Sequence, residues 1–330
     1  MSMMAPVRLI LVAALFVSAA LAFAGCSSKG DGSSSPADGG GSLPAATATA
    51  TATPAPDEFH AAWTGGVSHR TLKFDREVRT FRVFIPFGLR ENARAPLVIA
   101  LHGGLGSGDQ FAVTSRFEAL AQSEGFVVVF PDGIGATWNA GGCCGQASRN
   151  RVDDVGFLAA LIELAEREAP VDAARVFMTG HSNGAMMAFR FGCERPEMVK
   201  AIAPVAGSLE IPACAAATGT SLLAIHGDAD QNHPIDGGRG PRSIAGVDFN
   251  SMHESLSQWT AAMGCGRAVV ASSGPLTTTD WKGCRDGAIA RYVVVAGADH
   301  PWPGGLPSVP GNATQDLDAT KTVWEFFKAW

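Results

Sequence analysis

The sequence predicts an α/β fold: a mostly parallel, doubly wound sheet with helices on both faces. Three observations carry that expectation. Short continuous apolar runs recur along the chain, such as Leu97-Val98-Ile99-Ala100-Leu101 and Val127-Val128-Val129-Phe130. Runs of that kind are expected where a strand is buried on both faces. Stretches with apolar residues three and four apart lie between them, the spacing of one helix face. Strands alternating with helices are the pattern of a parallel sheet. The third observation is Gly180-His181-Ser182-Asn183-Gly184, set between the apolar run Val176-Phe177-Met178-Thr179 and a helix-like run from Ala185 to Phe191.

The first 25 residues lie outside that pattern. Arg8 is the only charge before Lys29, and Leu9 to Ala24 is a short apolar run. This reads as an export signal, too short for a comfortable membrane span. Phe23-Ala24-Gly25-Cys26 resembles the bacterial lipobox, although that pattern prefers Leu at the position of Phe23. The resemblance implies a lipid on Cys26 and a chain anchored to a bacterial membrane, facing periplasm or exterior. The other reading is a plain secreted protein with a free Cys26. Residues 26–57 are rich in Ser, Gly, Ala, Thr and Pro. They bury too little apolar surface to order themselves and read as a tether. Residues 58–330 are the expected globular domain.

Of seven cysteines, six remain if Cys26 carries lipid. An even number in an exported chain suggests disulfides. Pairing near neighbours gives Cys193–Cys214 and Cys265–Cys284. Cys143 and Cys144 are then left as an adjacent pair, bridged or as thiols. The spacing lacks two Cys-x-x-Cys arms, so a zinc site is disfavoured. The formal net charge is −6 and no Lys/Arg cluster is dense, which argues against a nucleic-acid partner.

In order, Phe81 to Ile85 alternates and ends at Pro86, as a strand near an edge would. Strands are expected at Leu97 to Leu101, Val127 to Phe130, Val176 to Thr179, Ala201 to Val205, Leu222 to Ile225 and Tyr292 to Val295. Helices are expected at Phe111 to Glu124, Val152 to Glu168, Met252 to Met263 and Asp316 to Lys328. Asp153 and Asp154 fall in a first helical turn, where the dipole favours negative charge. Asn139 to Asn150 and Gln231 to Gly246 are Gly/Pro-rich and read as loops near a cleft.

Gly-x-Ser-x-Gly between strand and helix is the pattern of a nucleophile elbow. The chain reverses sharply there, and glycines at both ends let neighbouring backbone pass close by. A nucleophilic Ser182 needs a base, and the base an orienter. His300 follows the last central strand, at the C-terminal end where such sheets place their chemistry. The orienter is expected after the preceding strand: Asp230, with Asp228 as the alternative that instead caps the turn. The order Ser, acid, His is that of this fold class. Two backbone N–H donors are needed for an oxyanion: one from Asn183, the other from Gly104 or Leu105 in the run after Leu101. His102, Trp138 and Trp302 are candidate walls of the substrate pocket. The rival reading of both tryptophans is loop anchoring. A glycine-rich phosphate loop is disfavoured, because no Gly-Lys-Ser/Thr follows.

Taken together, Leu101-His102-Gly103-Gly104, Pro131-Asp132-Gly133 with Trp138-Asn139, Cys143-Cys144-Gly145, Val152-Asp153-Asp154, Gly180-His181-Ser182-Asn183-Gly184, His226-Gly227 with Asp230, and His300 with Trp302-Pro303-Gly304-Gly305 fall in one order. The chain resembles the poly(3-hydroxybutyrate) depolymerase-like esterases, a group close to feruloyl and acetylxylan esterases. The resemblance covers residues 68–328. It implies an α/β-hydrolase fold, a Ser182–Asp230–His300 triad, an ester substrate, and no metal or organic cofactor. Family members usually carry Gly where this chain has Ala185. A peptidase of the same fold and a lipid-tethered binding protein on an inactive fold are the rival readings.

Overall fold

Period-two alternation assigns each central strand its two faces. In the computed structural model, residues 63–214, 219–306, 311 and 313–330 are described. The expected signal segment, Cys26 and the tether all lie outside them. Strand β3 (Ala95–Leu101) is buried throughout. Its Leu97, Ile99 and Leu101 join one apolar cluster, while Val98 and Ala100 join the other. Strands β4 (Val127–Pro131) and β7 (Ser221–Gly227) divide in the same way. The two clusters are the two sides of one sheet, each closed by helices.

On the first side lie α4 (Asp154–Glu168), α5 (Asn183–Glu194) and α6 (Met252–Ala262), contributing Phe157, Phe189 and Trp259. On the second lie α1 (Gly108–Ser115), α2 (Phe117–Glu124) and α7 (Ala319–Phe327), contributing Phe111, Phe117 and Trp324. A short helix, α3 (Gly145–Arg149), interrupts the first expected loop.

The remaining strands are β1 (Gly66–Phe74), β2 (Glu77–Ile85), β5 (Val171–His181), β6 (Ala201–Val205), β8 (Ala268–Ser273), β9 (Leu276–Trp281) and β10 (Ala290–Val295). The sheet order is β1-β2-β4-β3-β5-β6-β7-β10-β9-β8. Pairing is parallel from β4 through β10 and antiparallel outside. The path steps from β3 out to β4, then returns past β3 to β5. That reversal is a topological switch point, which opens a crevice at the strands' C-terminal ends. The loops after β3 and β5 flank it.

One expectation about the elements needs correction, and one element was not expected. The helix expected over Phe111 to Glu124 is two, because Arg116 adopts φ 59°, ψ 23°. The bend lets Phe111 and Phe117 both pack on Trp302, with centroids at 5.1 and 6.1 Å. The Phe81–Ile85 strand lies near an edge as expected, second from it, with the polar β1 paired outside. The hairpin β8–β9 was not expected; its one apolar run, Ala268 to Ala271, is largely exposed, and β9 is half-buried.

Disulfides join Cys193 to Cys214 and Cys265 to Cys284, as near-neighbour pairing expects. Cys143 and Cys144 are bridged to each other across a cis peptide bond. Asp154 is more than a helix-end charge. It is fully buried and pairs with Arg79 of β2 at 2.8 Å, and its other oxygen accepts from Asn139 N–H at 2.8 Å. Asp153 takes the capping role, accepting from Gly156 N–H. Burial raises the Asp154 pKa, and the Arg79 charge opposes that rise.

Candidate active site

Ser182 stands at the turn from β5 into α5 with φ 55° and ψ −119°, a conformation few non-glycine residues adopt. Such a residue costs of order 1–3 kcal/mol and persists only where its surroundings over-determine it. The surroundings here are backbone. A Cβ at Gly180 would lie 2.4 Å from the Gly184 carbonyl oxygen, and one at Gly184 would lie 2.4 Å from that of Leu101. Both glycines of the motif are thus required by close approach. Ser182 N–H is tied to Val205 O at 2.9 Å.

His300 Nε2 lies 2.9 Å from Ser182 Oγ, and its Nδ1 lies 2.7 Å from Asp230 Oδ2. A carboxylate only accepts, so Nδ1 carries the proton and Nε2 is free to accept from the serine hydroxyl. Asp230 is anchored through its other oxygen, which accepts from Asn232 and His233 N–H at 2.8 Å each. Burial pulls its pKa up. Hydrogen bonds and charge from His226 and His300 outweigh that, and the carboxyl sits well below its ordinary range. The alternative acid, Asp228, instead accepts from Gly297 N–H at 2.6 Å. It fastens the loop carrying His300.

Three further imidazoles surround this line. His181 points away from Ser182 and donates from Nε2 to His300 O at 2.8 Å. Burial and the neighbouring His300 push its pKa down to about 3. His226 donates to His233 O at 2.9 Å, with Asp230 Oδ2 at 3.4 Å from the same nitrogen. His233 meets Ser208 Oγ at 2.8 Å, and burial holds its pKa well below the ordinary value. Sequence reasoning gave neither a role: His226 entered only as part of the run His226-Gly227 to Asp230, and His233 lies in no motif.

Of the two N–H groups expected from the run after Leu101, only one is open. Leu105 N–H donates to Ala136 O at 2.8 Å, so Leu105 is corrected from donor to pocket wall. Gly104 N–H meets no acceptor among the described residues, and a Cβ at Gly104 would lie 3.9 Å from that of Asn183. Asn183 N–H begins α5, where the first amides have no intrahelical partner.

The three expected pocket residues are corrected as well. Trp138 is fully buried and donates from Nε1 to His102 O at 2.9 Å. Trp302 is buried and donates to Thr320 Oγ1 at 3.0 Å. His102 accepts from Gly133 N–H at 3.0 Å and stacks on Trp138. All three anchor loops. The cleft over Ser182, about 430 Å³, is walled by other side chains. Met186, Cys144 and Arg149 line it, together with His233, Phe249 and the Arg242–Ala245 segment. The two loops expected near a cleft do line it. Among the described residues, no group of three or more His, Cys, Asp or Glu is placed to hold a metal ion.

A nucleophile, a base and an acid share one hydrogen-bonded line at a cleft, with two open amides beside the nucleophile. That arrangement is suited to acyl transfer. Comparisons with known proteins find esterases. The family model described as esterase PHB depolymerase matches residues 80–270. The esterase NocK of Nocardia uniformis subsp. tsuyamanensis is 29% identical over 254 residues, covering 70% of this chain and 73% of that one. Feruloyl esterase D of Neurospora crassa is 26% identical over 274 residues, covering 78% and 84%. The solved acetyl xylan esterase of Aspergillus awamori aligns with TM-score 0.56 at 17% identity, over 79% of this chain and 99% of that one. That likeness bears on the fold alone.

Proposed function

The chain belongs to the PHB depolymerase esterase family and is a carboxylic ester hydrolase; from that premise we propose that it works through an acyl-enzyme on Ser182. The substrates proposed are feruloyl- or acetyl-type esters, or 3-hydroxybutyrate oligomer or polymer. The observation carrying the reading is the continuous line Ser182–His300–Asp230, with contacts of 2.9 and 2.7 Å.

His300 Nε2 takes the Ser182 proton as Oγ attacks the ester carbonyl. Asn183 and Gly104 N–H receive the oxyanion. Removing one such donor typically costs about 10²–10³ in rate. His300 passes its proton to the departing alcohol, leaving the acyl group on Ser182. Water, deprotonated by the same nitrogen, then releases the acid and restores the hydroxyl. Asp230 keeps the proton on Nδ1 and stabilises the imidazolium. A Ser182→Ala variant supplies the test. Wild type and variant are assayed on p-nitrophenyl acetate and butyrate, methyl ferulate and a 3-hydroxybutyrate oligomer. Hydrolysis that vanishes in the variant is expected; equal rates in both would sink the triad.

The proposal extends to export and a lipid on Cys26, holding the enzyme on a membrane. Support comes from the signal-like residues 1–25 and from the disulfides, which suit an oxidising compartment. Fractionating the same cells with Cys26→Ser alongside tests this. The variant should move to the soluble fraction, and an unchanged distribution would remove the anchor.

A further inference from the structure

The charge around the cleft is one-sided. The chain as a whole has net charge −6, yet its lining includes two arginines and no Asp or Glu. The two arginines differ. Arg242 is committed to Asp299, which also accepts from His300 N–H at 2.8 Å. It therefore braces the loop that carries His300. Arg149, the last residue of α3, is exposed and makes no hydrogen bond or ion pair among the described residues. A guanidinium stays charged at any working pH and offers two parallel N–H donors to one carboxylate.

Position adds to this. Arg149 lines the cleft along with Cys144 and Met186, and Met186 follows Ser182 by one turn of α5, its N–H on Ser182 O at 3.0 Å. Phe249 and the exposed Ile244 line the same cleft. A ligand seated on Ser182 thus has apolar surface for its chain and an unneutralised cation within the same cleft.

On the strength of the esterase reading above, we propose that the preferred substrates are esters carrying a free carboxylate, held by Arg149. The carboxylate can sit on the acyl side, as in a dicarboxylic acid monoester. It can equally sit on the alcohol side, as at the acid end of a short hydroxyacid oligomer.

Matched pairs separate these. Mono-4-nitrophenyl glutarate against 4-nitrophenyl methyl glutarate probes the acyl side. The 3-hydroxybutyrate dimer as free acid against its methyl ester probes the alcohol side. In wild type, kcat/KM should favour the anion in one pair. Arg149→Gln should cut that ratio about fivefold to tenfold, the worth of an ionic hydrogen bond at a partly exposed site. Arg149→Lys should keep most of it. Added salt should erode the ratio in wild type and not in Arg149→Gln. A ratio unmoved by Arg149→Gln in both pairs overturns the proposal. Failure of the esterase reading looks different: no ester of either pair is turned over. The site is then judged by calorimetric binding of monomethyl glutarate to Ser182→Ala. About fivefold or greater weakening on adding Arg149→Gln supports the proposal, and equal affinity overturns it.

Discussion

Replacing Asn183 by Ala should cost far more than one surface amide. The side chain is 2% exposed. Its Oδ1 accepts from Trp138 N–H at 2.7 Å, and its Nδ2 donates to Trp138 O at 3.0 Å. Trp138 in turn holds His102 O through its indole N–H. One side chain therefore ties the Ser182 turn to the run bearing Gly104. Asn183→Ala leaves the buried Trp138 N–H without a partner, at about 1–3 kcal/mol, while Trp138 O keeps the N–H groups of Ala140 and Cys144. That loss is a substantial share of the about 5–15 kcal/mol typical of a domain. Asn183→Asp keeps the acceptor but sets an oxygen and a charge against Trp138 O, and should cost at least as much. Urea unfolding under oxidising conditions reads the stability. The Asn183 N–H remains in both variants, so kcat on a neutral ester should fall only through misplaced donors, by about tenfold or more. A loss under about 1 kcal/mol with unchanged kcat would refute the coupling.

Two further outcomes are expected. Asp154→Ala strands the Arg79 guanidinium, itself 2% exposed, and should lower the unfolding free energy by about 3–5 kcal/mol; a calorimetric melting point within a degree of wild type would contradict this. His181 has a folded pKa of about 3 against an ordinary 6.5, so the unfolded chain binds the extra proton. Its contribution is full above pH 6.5 and is lost as pH falls towards 3, at about 1.4 kcal/mol per pH unit. Unfolding free energies of wild type and His181→Phe between pH 7.5 and 4.5 should diverge by that slope. Parallel curves would exclude it.

The strands legible in the sequence are those buried on both faces, because burial on both faces forces unbroken apolar runs such as Leu97 to Leu101. Strands β8 and β9 escaped for the opposite reason: they bury little, and past the short run Ala268 to Ala271 the segment to Trp281 is mostly polar. Arg116 ends α1 by adopting a left-handed backbone that nothing in its side chain announces. At the site, Ser182, Asp230 and His300 were legible because each follows a central strand, in the chain order of the fold. The walls were not. Large aromatics beside motif residues looked like pocket lining, yet Trp138 and Trp302 each have an N–H that needs a partner. Both find one in the interior, at His102 O and Thr320 Oγ1. The cleft is left to residues of irregular loops, where side-chain direction follows no period.

The buried imidazoles around the triad share one logic. A base that must alternate between neutral and charged states needs a frame that does not titrate with it. His181 can serve because burial and the nearby His300 keep it neutral, so its Nε2–H stays aimed at the His300 carbonyl whatever charge His300 carries. His226 braces the other end, with its Nε2–H directed at His233 O while His233 N–H and Asn232 N–H fix Asp230. A lysine or arginine in either place would add a permanent positive charge beside His300 and disfavour the imidazolium it must form. An aliphatic residue would leave the His300 or His233 carbonyl without its donor. At His181 a neutral histidine supplies an N–H donor on a flat ring without the charge.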